Sequence, residues 1–578
     1  MLARKYMRGI FNCCLVFLLC GLDDAGAAEP APEPRLVLLV VVDQLRGDLP
    51  TRFLDRFPPG GFRYFADHGI TYRDARYRHA TTLTAAGHAT IATGGNSAEH
   101  GIVANDWREN GRAAYCVGDP QHRIFGSDAR GISPSTLRSS TFGDELILAS
   151  GGKSRVFSVS TKDRAAVLMG GHLGQAYWYN KDDGRYVSST YYFDDLPTWV
   201  EDWNDEALVD KLIDRPWDLL LDRQRYSGTD DDRPEERSRG SLGRTFPHPV
   251  LGTPEERYGL IRYTPAADTL TLDCVKTLVA RENVGRGEAT DVLAVSFSAT
   301  DYVGHAFGPG SLEAEDNLFR LDRTIAELLA FIDEGVSLDR TLVVLTSDHG
   351  VDAIPEYRAK LGFDAARHRP AEILATANEA VRQAFRIDED VVHTLLKPGL
   401  YFDRQRVAEL GLDPVRVEQV IADAIAQSPG FDHAFTRTQI MNGQLPRTRL
   451  GEQVAASYYD GRSGDVVLVW SPFWFLASDP DVDSATHGSP HGYDTHVPIM
   501  VAGPGISRGH ISLPVAPRDI APTVAAYLGI APPSGSVGKV LPGIVDREPP
   551  LNIGMLSVWP MRILSLDSLL ARRISAEL

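Results

Sequence analysis

Three apolar runs in this chain continue without a polar break until they meet an acid: LVLLVVVD (36–43), DVLAVSFSATD (291–301) and TLVVLTSD (341–348). A strand with one wet face alternates polar and apolar residues. Runs that do not alternate belong to a parallel sheet covered on both faces. Between the second and third runs, Ser311 is placed to cap a helix. Glu313, Glu315 and Asp316 occupy its first turns, and Leu318, Leu321, Ile325, Leu328, Leu329 and Ile332 form one apolar stripe. Strand, helix, strand is the repeating unit of a doubly wound α/β fold. The chain therefore reads as α/β, with a doubly wound, mostly parallel central sheet flanked by helices and carrying cap-like insertions.

The chain has 578 residues, a formal net charge of −18 and 43% hydrophobic residues. That length sustains a large core. The acidic balance argues against nucleic acid or an anionic membrane as a partner, and no stable membrane partner is expected. A monomer is the expected state. An anionic substrate would need a local positive field.

Arg4, Lys5 and Arg8 precede the apolar run Phe11–Leu19 and the small-residue segment AGAAEP (25–30). These are the parts of a signal peptide, residues 1–27, cleaved near Ala27; the run is too short to span a bilayer. A periplasmic or secreted location follows as an expectation. Of five cysteines, three lie in this leader. Cys116 and Cys274 remain, as one disulfide or as two buried thiols. Residues 28–578 read as a single domain, with insertions at about 180–260 and 355–485. The charged stretch SGTDDDRPEERSRGS (227–241) reads as a solvated, mobile loop, VRVEQVIADAIAQ (415–427) as a helix, and PRDIAPTVAAYLGI (517–530) as a helix returning to the sheet.

In an open parallel sheet, ligands bind at the carboxyl ends of the strands. Asp43, Asp301 and Asp348 placed there would repel one another unless a cation sat among them. His305 follows Asp301 by four residues, His349 follows Asp348 directly, and THGSPHGYDTH (486–496) adds three more histidines. Carboxylate and imidazole together suit zinc. A further segment, HATTLTAAGHATIATGG (79–95), crowds threonines and small residues where a loop turns into a helix. A helix start offers free N–H groups to a phosphoryl oxygen, and a metal can activate a threonine hydroxyl.

These motifs resemble those of the alkaline phosphatase superfamily, in particular the bacterial exported phosphatases with a threonine nucleophile, which are related to the nucleotide pyrophosphatase/phosphodiesterases. The resemblance runs from about residue 36 to about 543. It rests on VDQLRGD (42–48), TAAGHATIATG (84–94), HGIVANDW (100–107), STKDRAA (160–166), SFSATDYVGHAFGP (296–309), TSDHG (346–350), THGS (486–489) and YDTHVP (493–498).

The resemblance implies an exported, zinc-dependent alkaline phosphatase that hydrolyses phosphate monoesters through a phosphothreonine intermediate, with two zinc ions per chain. Thr84 matches the nucleophile and an open-position metal ligand. Asn105, Lys162 and Arg164 match groups that contact the phosphoryl oxygens. Asp301, His305 and His487 match one metal's ligands; Asp43, Asp348 and His349 match the other's. His491 lies close enough to compete with His487. The C/S-x-P-x-R pattern of sulfatases is missing from the threonine segment. Lys162 and Arg164 favour monoesters, whose dianion leaves two charged oxygens to pair. The alternative on the same two-metal site is a phosphodiesterase or nucleotide pyrophosphatase. Loss of activity to chelators and a neutral to alkaline working range are expected, because the ligands must be deprotonated.

Overall fold

The computed structural model describes residues 34–227, 230–477 and 483–545. The leader with its cleavage site, and the tail beyond 545, lie outside the described residues. Nine strands make the central sheet: β1 (Leu36–Val42), β2 (Ile70–Tyr72), β3 (Val156–Ser160), β4 (Gln175–Asn180), β5 (Arg185–Val187), β6 (Asp291–Phe297), β7 (Thr341–Thr346), β8 (Ile499–Ala502) and β9 (Gly509–Ile511). Their spatial order is β9-β2-β8-β7-β1-β6-β3-β4-β5. The strands β7, β1, β6, β3 and β4 run parallel, whereas β8 is antiparallel to β7 and to β2, and β5 to β4.

Each side of β1 explains why its sequence does not alternate. Leu36, Leu38, Val40 and Val42 enter a core shared with Leu321, Ile325 and Leu328. Val37, Leu39 and Val41 enter a second core with Phe142, Ile520 and Val524. Both faces are dry, so both need apolar side chains.

Five helices place the chemistry: α1 (Thr84–Thr93), α2 (Asp163–Gly170), α3 (Ala266–Glu282), α4 (Ala299–Phe307) and α5 (Leu312–Gly335). Ser311 caps α5, its side chain accepting from the Ala314 N–H. The second apolar run differs from the sequence expectation. Its strand ends at Phe297, and Asp301 lies in the first turn of α4. Asp268 of α3 accepts the Ala299 N–H at 3.0 Å, which starts the helix there. The consequence is useful: Asp301 and His305 stand one helical turn apart on one face.

Residues near 180–260 are fastened to the main body. Tyr186, Trp199, Trp203 and Trp217 join the same core as Leu38. Asp316 of α5 accepts from Trp217 Nε1 at 2.7 Å, Tyr226 OH at 2.5 Å and Leu220 N at 2.7 Å. Between β7 and β8, a four-stranded antiparallel sheet forms from Val392–Leu396, Gly399–Phe402, Phe431–Thr436 and Val466–Trp470. Helices Pro370–Phe385 and Pro414–Ala426 share its core, with Ile373, Val417, Ile421 and Leu468 buried together. Among the described residues no helix is long and apolar enough to cross a membrane. Cys116 and Cys274 are separate, buried thiols.

The charged stretch 227–241 is not the solvated loop that its composition predicts. Within its described part, Glu235 and Glu236 are buried, and the Arg237 N–H donates to Ser484 Oγ at 2.8 Å. Neither oxygen of Glu236 has a hydrogen-bond partner. Burial, and then the charge of Glu313, pushes Glu236 from an ordinary 4.5 up to about 9. The folded state therefore holds the proton more tightly than the unfolded chain. Its stabilising effect is complete below the ordinary value and is lost as pH rises toward 9. Glu236→Gln should match the wild type in urea unfolding at about pH 4, below the ordinary carboxyl value. At pH 9 it should be the more stable of the two, the gap widening by at most about 1.4 kcal/mol per pH unit. A gap that does not change with pH would show that Glu236 does not titrate in this range.

Candidate active site

The carboxyl edge of β1, β6 and β7 is stitched shut by its own backbone. The Asp43 N–H bonds Phe297 O at 2.9 Å, which ties the end of β1 to the end of β6. Leu45 N donates to Ser347 Oγ at 2.9 Å, and that hydroxyl donates to His349 O at 2.7 Å, which fixes the turn after β7. Tyr77 OH adds a bond to Ser347 O at 2.9 Å. Helix α1 lies against this turn. A Cβ on Gly87 would stand 2.2 Å from Asp348 O, so only glycine permits the approach.

Two overlapping groups of ligands converge here: Asp301, His305 and His487, and Asp43, Asp301 and His349. Asp301 Oδ1 is 3.2 Å from His305 Nε2 and 3.5 Å from His487 Nε2. His349 Nε2 is 3.6 Å from Asp43 Oδ1 and 3.2 Å from Asp348 Oδ2. The rings of His349 and His487 stack at 3.5 Å.

These residues fit a divalent cation on their own chemistry. His305 Nδ1 meets Ala485 O at 2.7 Å, His487 Nδ1 meets Thr82 O at 2.8 Å, and His349 Nδ1 meets Gly350 O at 3.1 Å. A carbonyl only accepts, so each Nδ1 carries a ring proton and each Nε2 is the nitrogen left facing the carboxylates. Asp43 Oδ1, Asp348 Oδ2 and His349 Nε2 are buried with no hydrogen-bond partner, and Asp43 Oδ2 meets only the Lys162 ammonium. Imidazole Nε2 atoms gathered with carboxylates in a largely buried place form a donor set that could hold a metal ion, and mixed imidazole and carboxylate suits zinc.

The electrostatics record the crowding. Burial, and then the charge of Asp301, raises Asp43 to about 6. Burial and then Asp43 hold Asp348 well above the carboxylate range. Burial lowers His487 to about 4 and drives His349 well down. Asp301 departs from the pattern: burial acts to raise it, but Lys162 and His305 outweigh that and hold it well below its ordinary value.

Asp301 forms a trio with Asp43 and His349 as well as with His305 and His487, and Asp348 Oδ2 lies 3.2 Å from His349 Nε2. Asp348 stays beside it because its Oδ1 accepts the Gln44 N–H at 3.0 Å, which turns that oxygen away from the cluster. His491 Nε2 is taken up by Trp470 O at 2.8 Å, so of the two competing histidines it is His487 that joins the group. Lys162 is buried with its ammonium 2.7 Å from Asp43 Oδ2 and in contact with Asp301 Oδ2. It answers the carboxylates directly. Arg164 lies two residues on, its Nε buried without a partner.

Thr84 is the first residue of α1 and is buried. Asn105 Oδ1 accepts the Ala85 N–H at 3.0 Å, so it caps this helix start and leaves its own NH₂ as the free end. Two further residues of the site have no role in the sequence expectation, although they lie in TAAGHATIATG and VDQLRGD. His88 bonds Thr84 O and Ser296 Oγ, both at 2.9 Å. Gln44 touches Asp301 and Asp348.

Comparison with known proteins finds relatives along most of the chain. A family model described as type I phosphodiesterase / nucleotide pyrophosphatase matches residues 37–494. The alkaline phosphatase PhoV of Synechococcus elongatus is 33% identical over 521 residues, covering 89% of this chain and 93% of that protein. The alkaline phosphatase PafA of Elizabethkingia meningoseptica is 32% identical over 548 residues, covering 92% of this chain and 98% of that protein. A crystal structure of wild-type PafA superposes with a TM-score of 0.83 at 31% identity, over 89% of this chain and 99% of that one.

The two C-terminal histidines separate cleanly by experiment. Protein dialysed against zinc and counted by plasma mass spectrometry should lose one bound ion on His487→Ala and none on His491→Ala. The reverse result would place the ligand at His491.

Proposed function

The chain belongs to the type I phosphodiesterase/nucleotide pyrophosphatase family, within the alkaline phosphatase superfamily; from that premise we propose that it is an exported, zinc-dependent alkaline phosphatase that hydrolyses phosphate monoesters. The observation that carries the reading is the pair of buried ligand groups around Asp301, with three imidazole Nε2 atoms turned toward carboxylates. The similar proteins PhoV and PafA bear the name alkaline phosphatase, which favours the monoester.

Two zinc ions, once bound, would supply the positive charge that lets a threonine hydroxyl ionise near neutral pH and that stabilises a leaving alkoxide. Asp301, His305 and His487 would hold one, and Asp43, Asp348 and His349 the other. The rest falls to the chain. Thr84 attacks phosphorus in line; the P–O bond to the alcohol breaks, and a phosphothreonine forms that water then hydrolyses. The position of Thr84 at the start of α1 puts a developing phosphoryl charge beside free N–H groups and the positive end of the helix dipole. Asn105 presents its NH₂ because its oxygen is already committed to Ala85. Cations bound to Asp43 and Asp301 would take over the charge that Lys162 now balances, which frees its ammonium for a phosphoryl oxygen. Arg164 adds the second cation that a monoester dianion needs. Export follows from the leader sequence, and the external setting suits release of phosphate from organic esters.

The test is kcat/KM on the mature, zinc-loaded protein for an aryl phosphate monoester against its matching diester. The monoester should be favoured by several orders of magnitude. Thr84→Ala should abolish that activity, and Asn105→Ala should cut kcat by roughly 10²–10³. A preference for the diester would replace this reading with a phosphodiesterase on the same residues.

A further inference from the structure

Gln44 follows Asp43 at the end of β1 and is 1% exposed. Its φ is +68°, in the left-handed region, where a residue with a long side chain is uncommon. Such conformations persist where the surroundings over-determine them, and they cluster at functional sites. Here the result is that one residue reaches two carboxylates on two different elements. Its backbone N–H donates to Asp348 Oδ1 at 3.0 Å, beyond β7. Its side-chain Nε2 donates to Asp301 Oδ1 at 2.7 Å, on α4. The orientation of the amide is set by charge: only its donor end can face a carboxylate.

Helix α4 is shaped to receive that amide. Gly304 lies between Asp301 and His305, and a Cβ there would sit 1.9 Å from Gln44 Oε1. Glycine inside a helix is unfavourable relative to alanine, and the left-handed φ that would require glycine is not found at this position. What Gly304 provides is room. Gln44 Oε1 is buried and has no hydrogen-bond partner, so the amide is held by its donor end and not by satisfaction of both ends.

The oxygen that Gln44 holds on Asp301 is the one that faces both histidines of its ligand group. Asp301 Oδ1 faces His305 Nε2 at 3.2 Å and His487 Nε2 at 3.5 Å, while Oδ2 faces Lys162. The donor on Oδ1 fixes the rotation of the carboxylate, so each oxygen keeps its own side. We propose that Gln44 is a positioning residue that sets the carboxylates of Asp301 and Asp348 together, and so couples the geometry of the two metal groups. This rests on the two-metal reading above.

The test uses Co²⁺, whose visible absorption reports coordination geometry, added stepwise to the metal-free mature protein. Gln44→Met keeps the length and removes the donor, while the backbone bond to Asp348 remains. Gly304→Ala keeps Gln44 but occupies the space of its amide. Wild type should take up two ions. Both variants should melt as cooperatively as wild type without metal. Both should bind one of the two ions about 10- to 100-fold more weakly, with an altered visible band, and the other ion within about threefold. Two unchanged binding steps with an unchanged spectrum in Gln44→Met would overturn the proposal, whatever the activity. Weakening in Gln44→Met alone, with Gly304→Ala unaffected, would also overturn it, since the amide would not need its seat on α4. Failure of wild type to take up Co²⁺ would overturn the two-metal reading itself, and this inference with it.

Discussion

Negative charge buried at the edge of the sheet is the constraint to which the rest of the structure answers. Asp43, Asp301 and Asp348 are each at most 2% exposed, and among the described residues Lys162 is the one lysine or arginine in salt-bridge contact with Asp43 and Asp301. One ammonium cannot balance three carboxylates in a medium that screens poorly. The raising of Asp348 and the lowering of Asp301 are two faces of this deficit. Imidazoles pinned through Nδ1 add to the crowding, because their Nε2 atoms point into the same space. A stiff parallel sheet makes the arrangement possible. Each carboxylate hangs from, or just beyond, a strand whose own backbone is fully paired, so the ligands cannot drift apart to relieve the repulsion.

The sequence made much of this legible. The unbroken runs at 36–43 and 341–348 named their own fold, because a strand dry on both faces has no position for a polar residue. The acids at their ends marked the edge to search. The helical pattern after Ser311 was equally plain. Other features were hidden for identifiable reasons. Asp301 looked like a strand end, since nothing local separates FSATD in a strand from the same residues opening a helix; Asp268, far away in sequence, decides it through the Ala299 N–H. The stretch 227–241 is acidic and basic enough to read as solvated, yet Glu236 is buried against the main body. Composition does not see a partner that arrives from another element.

Gln44 and His88 were illegible for a different reason. Gln44 is not a metal-ligand type, His88 follows no strand-end acid, and neither has periodicity. Their roles exist only in three dimensions. His88 bridges Thr84 O on its own helix to Ser296 on β6, which presses the start of α1 against the sheet. Lys162 was visible as a cation in STKDRAA, but its contact with Asp43 and Asp301 depends on β3 lying beside β6, a pairing that no local pattern encodes.

The second sheet adds a dependence that runs the other way, from periphery to centre. His487 belongs to the stretch between that sheet and β8, and no strand of the central sheet carries it. It is held on one side by Thr82 O, at 2.8 Å from its Nδ1, just ahead of α1. On the other side Lys397 donates to its backbone carbonyl. Lys397 is the residue after Val392–Leu396, in the turn between two strands of the four-stranded sheet. A ligand of the centre is therefore positioned jointly by the helix start that bears Thr84 and by the sheet laid over it. Whatever that sheet does to shape the space for a substrate's organic group, it does while gripping a residue whose imidazole faces Asp301. Change in the outer sheet can then alter the ligand geometry as well as the walls of the site, so the region between β7 and β8 is not free to vary independently of the centre beneath it.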